Sequence, residues 1–327
     1  MMETQSPLTG WIPYKLFHEN GYPLCRWLNV SDYQFTDPFF TDTIEKCKSK
    51  FIYRQHSVSS VEVLPDWSGQ LSYVPPTAFI FHISRCGSTL LAQLLGINPS
   101  NIVLSEVPFF DEILREPYKR ESTLSLRTYP ALEAALKFYG QCRNGSEKML
   151  FIKTDSWHVF FYKKLRELYP NVPFVLLYRQ PAEVIRSQQK KRGMQAVPGV
   201  IEPAIFGFNN ESVTDLDEYM TRVIRQYLKI FLQIVEEDQN SILVNYHDGM
   251  LKVMEQVAAY TGMTISPEEY KKMKERCGYH GKYPEQLFTE ESGEMEETPS
   301  LKQCYELYRK LEEKRSGMLV SSGLRAS

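Results

Sequence analysis

Thr77–Leu95 reads TAFIFHISRCGSTLLAQLL, and the fold of the 327-residue chain turns on this stretch. The apolar run Ala78–Ile83, rich in aromatic and β-branched residues, predicts a buried strand. It stops at the small polar segment Ser84-Arg85-Cys86-Gly87-Ser88-Thr89, and apolar residues then return at helical spacing to Leu95. Strand, tight loop and helix is how α/β proteins hold an anion, because backbone N–H groups at a helix start point at it. Gly87 permits a close backbone approach, Ser88 and Thr89 add hydroxyl donors, and Arg85 adds a forked positive charge. The loop is not a Walker A sequence, G-x-x-x-x-G-K-[ST], since no glycine precedes Gly87 at that spacing and no lysine precedes Ser88. That weakens a nucleoside-triphosphate kinase or ATPase reading and leaves phosphate binding intact. The plain structural alternative is a strand-to-helix turn capped by Ser88.

Outward from this stretch the composition is that of a soluble globular chain. A net charge of −2 predicts no general affinity for nucleic acid or for anionic membrane. The six cysteines (Cys25, Cys47, Cys86, Cys142, Cys277 and Cys304) contain no C-x-x-C pair. This argues against a structural zinc site or a disulfide framework and suits a reducing compartment. No apolar run reaches membrane-spanning length and the start lacks a basic region followed by an apolar one, so a cytoplasmic protein with no integral membrane segment is expected.

Pro75-Pro76 divides residues 1–76, an N-terminal extension expected to pack on the core, from residues 77–327. In the extension, Trp11, Tyr14, Phe17, Trp27, Phe35, Phe39 and Phe40 supply packing material; Thr41 or Asp42 caps a short helix to Lys48, and Val58–Leu64 is strand-like. An α+β cap over one sheet edge is expected of this region, in preference to a part in an acceptor pocket. Beyond the loop, strands are expected at Ile102–Leu104, Met149–Ile152, Pro173–Tyr178 and Ile242–Val244. Helices are expected at Phe109–Arg115, Ala131–Gly140, His158–Leu168, from Pro181, at Leu216–Glu237, Met250–Tyr260 and Leu301–Lys314. Such alternation implies an α/β, three-layer fold with a mainly parallel sheet flanked by helices. Ligands of such sheets sit at the carboxyl ends of the strands. Arg85, Glu106, Lys153 and Arg179 all fall at expected strand ends, on one rim. Residues 193–213 form a long irregular apolar segment, read as a lid or acceptor wall. Glu290–Glu297 is an acidic, solvated stretch.

With these residues in view, the chain resembles the sulfotransferases that use 3′-phosphoadenosine 5′-phosphosulfate (PAPS), in their bacterial, P-loop-like form. Their [KR]-[ST]-G-[ST]-T loop around the 5′-phosphosulfate is similar to Arg85-Cys86-Gly87-Ser88-Thr89-Leu90, with cysteine where serine is common. Their 3′-phosphate segment R-x-P-x-x-x-x-x-S is matched at Arg179, Pro181 and Ser187, and their Y-x-D near the adenine at Tyr246-His247-Asp248. The resemblance covers about residues 77–262. It implies PAPS as co-substrate with no metal, and in-line sulfuryl transfer to a hydroxyl or amine of a small-molecule acceptor, a lipophilic one such as a sterol among the candidates. It also implies that Arg85 and Lys153 stabilise charge on the leaving oxygen. Many members carry a basic glutamate after the strand that follows the loop, which Glu106 resembles. Others use the histidine of a K-T-H triplet, but here that position is Asp155, which becomes the second candidate, ahead of His82 and His158. Two alternatives stand beside this reading: a kinase-like phosphotransferase with an atypical loop, and a non-catalytic nucleotide-binding module.

Overall fold

The computed structural model describes residues 6–50, 57–119, 128–209, 214–279, 281 and 297–321. Five strands make one wholly parallel sheet: β4 (Pro76–His82), β5 (Asn101–Ser105), β6 (Met149–Lys153), β7 (Phe174–Tyr178) and β8 (Ser241–Asn245), in spatial order β5-β6-β4-β7-β8. They are nearly continuous apolar runs because both faces are covered, and β7 and β8 are buried at every position. The chain leaves β4, builds β5 and β6 on one side, then crosses over to build β7 and β8 on the other. Strand order therefore reverses beside β4, and the loop after β4 opens at this switch point.

Register places the strand ends level. Ile80 lies opposite Lys153, Lys153 opposite Ser105, His82 opposite Leu177, and Tyr178 opposite Asn245. The residues that follow the five strands, from Ser84, Glu106, Thr154, Arg179 and Tyr246 onward, share one edge. Helices Ser88–Leu95, Pro181–Lys190, Leu216–Glu237 and Met250–Thr261 match the sequence expectation closely. The first begins at Gly87, whose φ of 84° is left-handed, and Pro181 opens the second. Ser266 and Glu269 form a capping box for Pro267–Cys277. The last helix, Pro299–Ser321, outruns its expected end.

The N-terminal region differs from expectation in detail. A three-stranded antiparallel sheet is formed by β1 (Trp11–Glu19), β2 (Tyr22–Asn29) and β3 (Ser57–Ser60). Its hairpin turns on Asn20-Gly21 with φ of 51° and 81°, the paired left-handed geometry such a turn requires. The strand expected over Val58–Leu64 stops at Ser60, whose side chain accepts from the Glu62 N–H and starts a 3-10 turn leading to helix Leu64–Ser68. Thr41 is no cap but lies within helix Phe40–Lys50. The helix expected from His158 begins as a 3-10 turn, Ser156–Phe161, and becomes α-helical only over Tyr162–Leu168. Residues 290–296 of the acidic stretch lie outside the described residues.

The small sheet is fastened to helices Pro108–Arg115 and Thr128–Tyr139. The Tyr139 hydroxyl donates to Pro13 O at 2.6 Å, Gln141 bridges Gly10 N–H (2.6 Å) and Trp11 O (3.0 Å), and Leu16 N–H donates to Glu112 Oε2 at 2.5 Å. Burial pushes the Glu112 carboxyl up from 4.5 to about 7, against the hydrogen bond from Leu16 and the nearby lysines Lys119 and Lys15. Native Glu112 thus keeps a proton that the unfolded chain releases. Its stabilising effect is complete below pH 4.5 and is lost as pH rises to about 7. Chemical denaturation should show roughly 2–3 kcal/mol less stability at pH 8 than at pH 4.5 from this group. Glu112→Gln should flatten that slope, and an unchanged slope would contradict the account.

Candidate active site

The five strand ends surround a cavity of about 800 Å³, within the range of small-molecule sites. Each end contributes to its lining: Ser84, Arg85 and Gly87 after β4, Glu106 after β5, Asp155 after β6, Arg179 after β7, and Tyr246 after β8. Ser88, Thr89, Leu90 and Ser187 line it as well.

The loop after β4 is held in an unusual backbone state. Ser84 and Arg85 have φ of 65° and 53°, and Glu106 across the cavity has 55°. Left-handed conformations at non-glycine residues persist only where the surroundings enforce them. Here the Ser84 hydroxyl accepts from Gln188 Nε2 (3.1 Å) and Gln195 Nε2 (2.8 Å), both buried, and Ser84 N–H donates to His82 Nδ1 at 3.1 Å. Gly87 is irreplaceable on two counts, its positive φ and its neighbours. An added Cβ would lie 2.7 Å from Met250 Sδ and 2.9 Å from the Tyr246 ring. Cys86 alternates away from the cavity. Its side chain is buried, Sγ faces Leu177 O at 3.5 Å, and burial pushes its thiol up to about 12.

The two expected anion-binding segments are joined. Arg85 Nε donates to Ser187 Oγ at 2.7 Å, and Arg179 Nη1 approaches Arg85 O at 3.5 Å. The Arg179 guanidinium lies over the Tyr246 ring, 4.2 Å from its centroid, and Nε donates to Glu183 Oε2 at 2.6 Å. The ring and the carboxylate fix the plane of the fork. His247 Nε2 is 3.2 Å from the same Glu183 oxygen. Asp248 faces elsewhere, bound to Arg315 Nη1 of the last helix at 2.6 Å.

On the β5 side Glu106 accepts from Lys153 Nζ at 2.6 Å, and His82 Nε2 lies 3.5 Å from the same oxygen. Burial acts to raise the Glu106 carboxyl, but the Lys153 ammonium and His82 together outweigh it and hold the group well below the usual carboxylate range. Glu106 is ionised at neutral pH. Because His82 Nδ1 accepts from Ser84, its Nε2 carries the proton, shared between Thr154 O (2.9 Å) and Glu106. Burial keeps His82 in its neutral form. Lys153 is wholly buried beneath Glu106 and the Phe39 ring, 5.4 Å from its centroid, and takes no part in the cavity wall. Asp155 lines the wall, and burial, together with the Glu106 and Asp111 carboxylates, pushes its carboxyl far upward.

Several lining residues carried no signal in the sequence. Pro38, Phe39 and Asp42 come from the N-terminal region, which therefore forms part of the cavity rather than serving only as a cover. Trp157, Lys191, Arg192 and Tyr279 also line it. Of the expected lid, residues 210–213 lie outside the described residues, and among 193–209 only Gly193, Met194 and Gln195 line the cavity, while Val200 and Glu202 are held elsewhere. Arg115 grips Glu202 through Nε (2.7 Å) and Nη2 (3.0 Å), holds Val200 O at 3.0 Å, and meets Asp111 at 2.9 Å. Asp111 in turn accepts from Trp157 Nε1 at 2.6 Å and lies 3.0 Å from His158 Nε2. Asp111, Asp155 and His158 have ligand atoms within 4.8 Å of one another, but the Arg115 guanidinium and the Trp157 N–H already occupy Asp111. Among the described residues no helix is long and apolar enough to cross a membrane.

Fold and cavity together define an α/β protein in which the loop after β4 and the segment after β7 are hydrogen-bonded to each other and share one pocket with the Glu106 carboxylate. No protein-family model matches the sequence, and no curated protein matches it. Among solved structures the chain is similar to a sulfotransferase from Mycobacterium avium, with 12% identity over 80% of this chain and 79% of that one and a TM-score of 0.45. It is also similar to a sulfotransferase from Mycobacterium tuberculosis H37Rv (15% identity, 65% and 76% covered, TM-score 0.43). A further likeness is to the sulfotransferase domain from the curacin biosynthetic pathway (18% identity, 61% and 77% covered, TM-score 0.41).

Proposed function

We propose that the chain is a sulfotransferase that moves the sulfuryl group of PAPS to a hydroxyl or amine of a small-molecule acceptor. The observation that carries this is the hydrogen-bonded junction of the two anion cradles. Arg85, on one, donates to Ser187, on the other, and Arg179 stands beside the Arg85 carbonyl over the same cavity. A ligand with two separated phosphate-like groups on one adenosine needs two such cradles on neighbouring strands. The donors present suit it: loop N–H groups at a helix start, Ser88 and Thr89 hydroxyls, and two guanidinium forks. A cavity of about 800 Å³ leaves room for an acceptor beside the nucleotide.

PAPS, when bound, supplies a sulfuryl group and a 5′-phosphate leaving group. The acceptor oxygen or nitrogen forms its bond to sulfur as the bond from sulfur to the phosphate oxygen breaks. The chain's residues orient the two partners and stabilise charge on the leaving oxygen, which falls to the Gly87–Thr89 amides and Arg85. Glu106, ionised and on the cavity wall, takes the acceptor proton. Lys153 and His82 are positioning residues that fix Glu106, which carries two such partners where Asp155, among the described residues, carries none. Isothermal titration in the absence of magnesium should give tight binding of adenosine 3′,5′-bisphosphate. It should give binding weaker by about tenfold or more for 5′-AMP, which lacks the group meant for Arg179. Equal affinities, or binding that requires magnesium and ATP, would favour the kinase-like alternative.

A further inference from the structure

Asp155 stands immediately before the turn Ser156–Phe161, where an aspartate ordinarily accepts from the free N–H groups. Its side chain makes no such bond. Among the described residues its side chain enters no hydrogen bond, and the nearest basic side-chain atom is His158 Nε2 at 3.7 Å, which lies nearer to Asp111. Only 13% of the side chain is exposed, and it lines the cavity. It is thus a polar group on the cavity wall that no protein donor takes up, open to a donor from a ligand.

Its surroundings indicate which donor. Phe39 and Trp157 also line the cavity, and Met194, 48% exposed, adds a further apolar side chain to the lining. Asp42 lines the cavity too, and no ion pair of the described residues includes it. The cavity's arginines and lysine (Arg85, Arg179, Lys191 and Arg192) all belong to the loop after β4 and to the segment after β7. Near Glu106 the cation is Lys153, which is paired and buried. An anionic group beside Asp155, Asp42 and Glu106 would thus meet carboxyl groups, whereas an ammonium there would pair with Asp155.

We infer that the acceptor is an amphipathic amine, with a protonated amino group at Asp155 and Asp42 and an apolar body against Phe39 and Trp157. The inference rests on the sulfotransferase reading only in assigning this end to the acceptor. Burial and the neighbouring Glu106 and Asp111 carboxylates disfavour a bare charge on Asp155, and an ammonium beside it offsets that.

The test is calorimetry on the full chain with three phenols of like size: tyramine (cationic), 4-ethylphenol (neutral) and 3-(4-hydroxyphenyl)propanoate (anionic). Each is measured with and without adenosine 3′,5′-bisphosphate. Tyramine should bind about tenfold or more tighter than 4-ethylphenol, with no binding of the propanoate. Asp155→Asn should erase the preference and Asp42→Asn should reduce it, each leaving bisphosphate affinity as it was. The inference is overturned if the propanoate binds as well as tyramine, if none of the three binds, or if the preference survives both substitutions. Should bisphosphate fail to bind while the amine preference holds, the sulfotransferase reading falls and the amine site stands.

Discussion

Replacing Glu106 by glutamine should cut sulfuryl transfer by about 10²–10⁴-fold, the usual worth of a general base, with bisphosphate affinity unchanged. The side-chain partners of Glu106 are Lys153 and His82, so its loss removes no contact to Arg179 or Ser187. The substitution has a second consequence, because Lys153 is wholly buried and paired to Glu106 at 2.6 Å. An unpaired ammonium there costs about 3–5 kcal/mol of stability. The double variant Glu106→Gln with Lys153→Met separates the two effects. It should regain much of the lost stability, read by chemical denaturation, and stay inactive, read as labelled sulfuryl groups moved from PAPS to the best acceptor of the unaltered chain. Full turnover by Glu106→Gln, with Asp155→Asn inactive, would move the base to Asp155 and contradict the assignment.

Replacing Arg179 by alanine should weaken binding of adenosine 3′,5′-bisphosphate by about 100-fold, the worth of a charge-assisted fork to a phosphate. Binding of 5′-AMP should fall far less, since that ligand lacks the 3′-group. Arg179→Lys should recover only part of the loss, because an ammonium cannot span two phosphate oxygens or stack as flat on Tyr246. Equal losses for both nucleotides would mean that Arg179 acts by shaping the loop through the Arg85 carbonyl, not by holding a phosphate.

The rim of the sheet was legible in the sequence because each of its residues follows an apolar run long enough to be a strand. Arg85, Glu106, Asp155, Arg179 and Tyr246 are fixed in space once five strands are aligned in parallel. Orientation was harder to read. Lys153 ends its strand as expected, but its side chain points beneath Glu106, and Cys86 points into the core. Alternation along a strand or a loop sets such directions, and no motif records them. The contribution of Pro38, Phe39 and Asp42 was out of reach because it depends on how a separate antiparallel sheet docks, through Gln141, Tyr139 and Glu112, on helices that follow later in the chain. His82 stood in the sequence only as a base candidate behind Glu106 and Asp155. Its role as the ring that fixes both Ser84 and Glu106 rests on contacts between neighbouring strand ends.

The most direct test is a crystal structure of the chain with adenosine 3′,5′-bisphosphate. One phosphate should lie within about 3 Å of the backbone N–H groups at Gly87–Thr89 and the other at the same distance from Arg179 and Ser187. A nucleotide that touches only one of the two segments, or that binds away from the strand ends altogether, would contradict the account.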